Sequence, residues 1–348
     1  MTNRVSLIAV FLMSAVVGAP FLAVDAQGAV EEVVVLAGFE ETKAWLEAED
    51  WWGEVERETQ LTAPNVLITG ISNQWRVTSG KLPVSDKKEV FYRFLLPLIL
   101  HANDLVLTRR AEVETAAARL SEGFALTDGQ LENIRQAAPL LRVVSEDEAS
   151  RLAPSGADME AVVEQLLYKL DVIPAGLALG QAAYESGYGT SRFAAEGNAL
   201  FGQWTFGGEG LRPEQQREEI GDHRIAAFDW PFDSVRGYFI NLMSHPAYDP
   251  FRKLRAERRA RGEPLTSMAL ADGLIRYSER GQEYVDTLKG IIRVNNLEVA
   301  DNAVLRDEPR RFMVGAEDAE DAARLKTELA ALRRSGALAE IVERMRLD

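Results

Sequence analysis

The 348-residue sequence predicts a mainly α protein of the α+β class, and three periodic stretches carry that prediction. Between Ser85 and Leu120, Phe91, Phe94, Leu95, Leu98, Ile99 and Leu105 recur at three- and four-residue spacing, the mark of one apolar helix face. From Glu160 to Leu170 the same spacing joins Val162, Val163, Leu166, Leu167 and Leu170. From Pro174 to Ser186, Ala178, Gln181, Ala182 and Glu185 share one stripe, and its small residues would admit another chain or a sugar.

Taken in order, residues 1–26 read as an export signal. Arg4 is the positive start, Val5 to Val24 is apolar with breaks at Gly18 and Pro20, and Val24-Asp25-Ala26 offers small residues for cleavage. The run is also long enough for an uncleaved inner-membrane anchor. Either way the expected location is the periplasm or cell envelope. Residues 27–84 are acidic and hold Trp45, Trp51, Trp52 and Trp75, which read as anchors of a small helical packing unit. Residues 85–150 form a helical region in which Pro97 should kink or divide the first helix. His101 there reads as structural.

Pro174 has its φ set for a first helical turn, and Gly187 can supply a left-handed cap, so a helix should run from Pro174 to Ser186. Further on, Arg252 to Arg261 reads as a solvated basic helix face. From Glu317, Leu325, Leu329 and Leu332, a break at Ser335-Gly336, and then Leu338, Ile341 and Met345 spell a helical hairpin within a 298–348 tail.

Composition narrows the chemistry. There are no cysteines, which removes thiol nucleophiles and thiolate metal sites. Three scattered histidines (His101, His223, His245) make a histidine metal centre a poor expectation, and no metal or cofactor is expected. A net charge of −15 argues against a nucleic-acid partner.

What remains is the stretch Gln181–Trp204, QAAYESGYGTSRFAAEGNALFGQW. It sets one carboxylate, Glu185, at a helix C-terminus, beside glycines and within a cluster of Tyr184, Tyr188, Phe193, Phe201 and Trp204. An acid beside aromatic faces and tight turns suits carbohydrate cleavage. A general acid must keep its proton near working pH, and two effects would raise its pKa: the negative end of the helix dipole, and burial among Tyr184, Tyr188 and Phe201. Tyr188, Asn198, Phe201, Gly202, Gln203 and Trp204 are the candidate substrate contacts. Asn198 would orient an amide, Phe201 and Trp204 would stack on sugar rings, and Gly202 would allow close backbone approach.

These residues resemble a known family. ESGYGTSRF and EGN-LFGQW look like the glucosaminidase domain of glycoside hydrolase family 73, most closely its Bax-like branch. KKEVFYRFLLPLILHAND, VIPAGLALGQAAYES, SVRGYFINLMSHPAYDPFR and YSERGQEYVDTLKGIIRVNNL fit the same pattern, so the resemblance runs from about Ser85 to Leu297. It implies a lysozyme-like helical domain with a small β-hairpin, preceded by additional helices, with residues 151–297 as the catalytic domain. It implies cleavage of the β-1,4 bond after N-acetylglucosamine in peptidoglycan glycan strands. Glu185 matches the family's general acid, Tyr284 a tyrosine near the cleavage point, and Asn198, Phe201 and Gly202 its glycan-binding turn. In parts of the family a hairpin Glu is the second catalytic group. Here Glu209, Glu214, Glu218, Glu219 and Asp222 lie in that region, and no spacing singles one out. Participation of the substrate acetamide, with Tyr284 orienting, needs none of them. Two other readings stay open: a lytic transglycosylase or muramidase on the same fold, although the Gly-Leu-Met-Gln segment usual in transglycosylases is absent, and a non-catalytic glycan-binding or scaffold protein.

Overall fold

A computed structural model describes residues 32–54, 60–71, 73–205, 210–212 and 224–335. The 1–26 segment, the five acids between Glu209 and Asp222, His223, and Leu338, Ile341 and Met345 lie outside the described residues.

The chain begins with β1 (Glu32–Ala37), α1 (Gly38–Ala48), β2 (Thr62–Ala63), β3 (Val66–Ile68) and α2 (Asn73–Thr78). The helical body follows as α3 (Val84–Ser121), α4 (Asp128–Leu140), α5 (Glu146–Ser150), α6 (Ala157–Lys169), α7 (Ala175–Ser186) and α8 (Arg192–Gly197). A two-stranded antiparallel pair, β4 (Trp204–Thr205) and β5 (Arg224–Ile225), precedes α9 (Pro231–Ser244), α10 (Asp249–Ala260), α11 (Ser267–Leu270) and α12 (Gln282–Val294). The chain returns through β6 (Val304–Leu305), β7 (Arg311–Ala316) and α13 (Ala319–Ser335). The fold is mainly α with a few small strands, as the periodicity predicts.

α3 continues through Pro97 as one helix, so the proline does not divide it. A proline frees the carbonyl four residues earlier. Here that carbonyl belongs to Arg93, and the Trp51 indole N–H donates to it at 3.0 Å. Trp51 is therefore a buried plug for a helix defect. By length and composition α3 is apolar enough to cross a membrane, but 61% of its apolar window is buried within the protein, which makes it a core helix.

The two flanks, separate in the sequence, meet in space. β1 and β3 both pair in parallel with β7, giving the order β1-β7-β3, and β2 pairs in parallel with β6. Glu49 accepts from both Arg306 and Arg311, and Arg311 also covers the Trp45 ring. The Arg311 hydrogen bond holds the Glu49 carboxyl below its ordinary value. The described part of residues 27–84 thus contributes strands as well as helices rather than a purely helical unit, because β1, β2 and β3 find partners about 240–280 residues away.

The basic face of α10 also departs from expectation. Arg252 and Arg255 are buried. Arg255 donates at 2.7 Å to the carbonyls of Lys169 and Asp171, and Arg252 at 2.9 Å to those of Leu242 and His245. The last carbonyls of a helix lack partners within it, and these guanidinium groups satisfy the ends of α6 and α9. Burial pushes the neighbouring Asp171 carboxyl up, but Arg259, Arg255 and Arg110 outweigh this and hold it low. His101 is structural, as read. Burial lowers its pKa to about 3, and its ring meets Phe232 edge-on.

α7 lies at the centre of this packing. A Cβ on Gly176 would fall 2.3 Å from the Leu297 carbonyl oxygen, and one on Gly180 would meet Ile292 at 3.0 Å and Leu288 at 3.1 Å. Ala178 and Ala182, the small residues of the predicted stripe, are themselves fully buried, so the stripe admits protein rather than sugar.

Candidate active site

α7 ends where the sequence places its end. Gly187 takes φ 59° and ψ 44°, and its N–H bonds the Ala183 carbonyl. Tyr188 and Gly189 continue in the left-handed region at φ 61° and 73°. The Ser186 hydroxyl accepts from the Gly189 N–H at 2.9 Å, and the Trp75 indole donates to the Tyr188 carbonyl at 3.0 Å. The loop after Glu185 is thus tied both to its own helix and to α2.

Glu185 stands in the last turn of α7. Tyr284, on α12, donates its hydroxyl to Glu185 Oε1 at 3.0 Å. Gln181, one turn before Glu185 on the same face, donates from Nε2 to the Tyr284 hydroxyl at 3.0 Å. Tyr238, on α9, donates to Gln181 Oε1 at 2.5 Å. Tyr277 stacks on Tyr284 with centroids 5.6 Å apart, and donates to the Phe201 carbonyl at 2.9 Å. Burial pushes the Glu185 carboxyl up to about 7, against the opposing pull of the Tyr284 hydrogen bond. A carboxylic acid with that value holds its proton at mildly acidic pH and releases it near neutrality, which suits a general acid.

The other oxygen is open. A Cβ at Gly202 (φ 61°) would lie 3.3 Å from Glu185 Oε2, so the absent side chain leaves the space in front of that atom clear. Trp204 is 49% exposed on β4, two residues further on.

The structure thus brings together Glu185, Tyr284 and Gly202, and leaves Trp204 on the surface nearby. Four other predicted contacts are spent on the fold. Asn198 is buried, in a left-handed cap of α8. It donates at 3.0 Å to the carbonyls of Phe228 and Asp229 and accepts from the Ile71 N–H at 3.1 Å. Both amide N–H groups are thus spent on closing a turn. Phe201 is 1% exposed and stacks on Tyr238 at 4.0 Å, leaving no face for a sugar. Gln203 donates to the Ser234 carbonyl at 3.2 Å and fastens the turn to α9. Tyr188 turns away toward α3, against Phe91 and Tyr92, with the Lys87 and Lys88 ammonium groups over its face. Tyr184 lies exposed, its hydroxyl taken by Arg280. The tyrosines that feel the Glu185 charge are Tyr284, Tyr277, Tyr238 and Tyr248, whereas the Tyr188 ring packs against α3.

Gln181 and Tyr238 are the residues whose part in the site sequence reasoning missed. A signal existed: a glutamine on a helix face otherwise made of small apolar residues, four before an acid, must find a buried partner. Tyr238 carried no such signal, because its spacing is that of core. Among the described residues no three His, Asp or Glu side chains are grouped as a metal would require.

Residues 161–297, which contain every residue discussed from Gln181 to Tyr284, match the glucosaminidase family described as mannosyl-glycoprotein endo-β-N-acetylglucosaminidase. The chain is also 30% identical over 216 residues to protein bax of Escherichia coli strain K12, which spans 62% of this chain and 72% of the relative. No solved structure matches it at a significant level. These likenesses give the chain a glycosidase domain whose substrate class is a glycan. The chain belongs to the Bax-like glucosaminidase family.

Proposed function

We propose that the protein is an exported peptidoglycan hydrolase that cleaves the β-1,4 bond after N-acetylglucosamine, with Glu185 as its general acid. The supporting observation is one carboxyl with two differently used oxygens. Oε1 is held by Tyr284, Oε2 faces the space left by Gly202, and burial raises the group to about 7. In this reading Oε2 gives its proton to the glycosidic oxygen as the C1–O bond breaks. The substrate's acetamide oxygen closes on C1, and water then opens that ring while the Glu185 carboxylate takes up a proton. Trp204 offers a ring face to a neighbouring sugar. The acetamide route requires none of the five acids from Glu209 to Asp222, so no single change among them abolishes turnover; an inactive but folded Glu219→Gln would overturn that route. The export signal or anchor in residues 1–26 would deliver the enzyme to the periplasm, where the glycan strands are.

The test is mass spectrometry of peptidoglycan fragments after digestion and borohydride reduction, with wild type beside Glu185→Gln. Reduced N-acetylglucosamine ends that vanish in the variant are the expected result. Anhydromuramic ends would instead assign a lytic transglycosylase, and reduced muramic ends a muramidase. No fragments from either protein would favour a glycan-binding role.

A further inference from the structure

We infer that Gln181 and Tyr238 are positioning residues that determine which oxygen of Glu185 carries the catalytic proton. The inference rests on the reading of Glu185 as general acid.

The four side chains form one directed line. A side-chain amide has a donor end and an acceptor end, and which end faces Tyr284 decides where that hydroxyl sends its only proton. With Nε2 toward Tyr284, the tyrosine receives a hydrogen bond from Gln181 and must give its own proton to Glu185 Oε1. An oxygen that accepts this bond is a poor place for the carboxyl proton, which is left to Oε2, the oxygen facing Gly202. With the amide turned over, Tyr284 would donate to Gln181 instead, and Oε1 would be free to take the proton on the closed side of the site.

Tyr238 holds the amide in the first orientation. It is fully buried, its ring is stacked on Phe201, and among the described residues Gln181 Oε1 is its one hydrogen-bond acceptor. Turning the amide over would aim an N–H at the Tyr238 oxygen and leave the phenolic proton buried without an acceptor, an arrangement that folded proteins avoid. Gln181 is itself completely buried, so water cannot substitute. The titratable groups that face Glu185 are Tyr284 on α12, Tyr277 before it, Tyr238 on α9 and Tyr248 after α9. Arg280 and Glu283 pair with each other at the exposed lip, where Arg280 also meets Tyr184. The proton's position is therefore set by neutral hydroxyls and one amide.

The experiment measures kcat and KM across pH on soluble peptidoglycan glycan strands, for wild type, Tyr238→Phe and Gln181→Met. Both substitutions conserve volume, and either suffices if the other folds poorly. In each, Tyr284 is released from its fixed direction and Glu185 loses part of the hydrogen bond that favours its ionised form. The expected result is a fall in kcat of about tenfold with KM unchanged, since correct acid placement is worth more than that in full. The basic limb of the kcat profile should also move to higher pH by about half a unit. Val235→Ala, a buried apolar change on the same helix that removes no hydrogen-bonding group of the line, lowers the melting temperature and leaves the limb in place. A basic limb that does not move in folded Tyr238→Phe or Gln181→Met would overturn the inference. Activity surviving in Glu185→Gln would instead overturn the acid reading, so the two failures are separable.

Discussion

Gly202→Ala tests the open side of Glu185 with a single methyl group. Gly202 has φ 61°, and the new Cβ would sit 3.3 Å from Glu185 Oε2. Two effects follow, of different size. Alanine in the left-handed region costs about 1 kcal/mol, which lowers the melting temperature of a protein this large by about 2 °C. The methyl also occupies the space in front of Oε2. A glycosidic oxygen must come within about 2.6–3.2 Å of that atom to take its proton, so it and the methyl compete for the same volume. The loss should approach the contribution of the acid itself, roughly 100-fold in kcat/KM. The remaining activity should persist to higher pH, because removing water from Oε2 further disfavours the ionised form. Gly262→Ala is the matched control: its φ is 67°, and nothing lies within 4 Å of the added Cβ, so it bears the backbone cost alone. Both variants are assayed by release of reducing ends from purified peptidoglycan, with thermal melts in parallel. Equal activity in the two variants would refute the assignment of Oε2 as the proton-delivering atom.

Three further outcomes are expected. Arg255→Met should lose about 3 kcal/mol in urea unfolding, because the carbonyls of Lys169 and Asp171 lose their buried partner. Trp204→Ala should raise KM about tenfold with kcat nearly unchanged if the exposed indole stacks on the substrate in the ground and transition states alike. Glu185→Gln should be more stable than wild type at neutral and higher pH. The folded carboxyl is raised from 4.5 to about 7, so ionisation is harder in the folded state, and that destabilisation grows as pH rises from 4.5 through 7. The gain should reach roughly 2–3 kcal/mol above pH 7 and vanish in acid, read as melting temperature against pH. A variant no more stable at high pH than in acid would mean that the carboxyl is not raised.

Sequence reasoning reached the parts of the site that obey local rules. α7 starts after Pro174 and stops at Gly187 because proline and glycine act on the backbone within a turn of themselves. Glu185 follows from that helix end, and Tyr284 from the resemblance. The side chains read from chemical type alone fared differently. Asn198, Phe201, Gln203 and Tyr188 are polar or aromatic, as a sugar site needs, yet each is committed to closing a turn or filling the core. Which use a side chain serves depends on which atoms surround it, and those come from α2, α3 and α9 and, for Asn198, from Ile71, Phe228 and Asp229 between elements. Arg252 and Arg255 looked solvated for the same reason: nothing near them in sequence announces the open carbonyl ends of α6 and α9.

By itself the sequence determined the mainly helical class, the ends of α7, the placement of one acid at that helix's last turn, and the family. These depend on periodicity, cap chemistry and motif spacing, which act over a few residues or are recorded in the motif itself. Only the tertiary structure decided the rest. It paired β1 and β3 with β7 and β2 with β6, all in parallel, filled the Pro97 defect with Trp51, and set Tyr238 and Gln181 behind Tyr284. The physical reason is the same in each case. Strand pairing, burial and the direction of a hydrogen bond are properties of neighbours in space, and here those neighbours lie from about 40 to 280 residues apart along the chain.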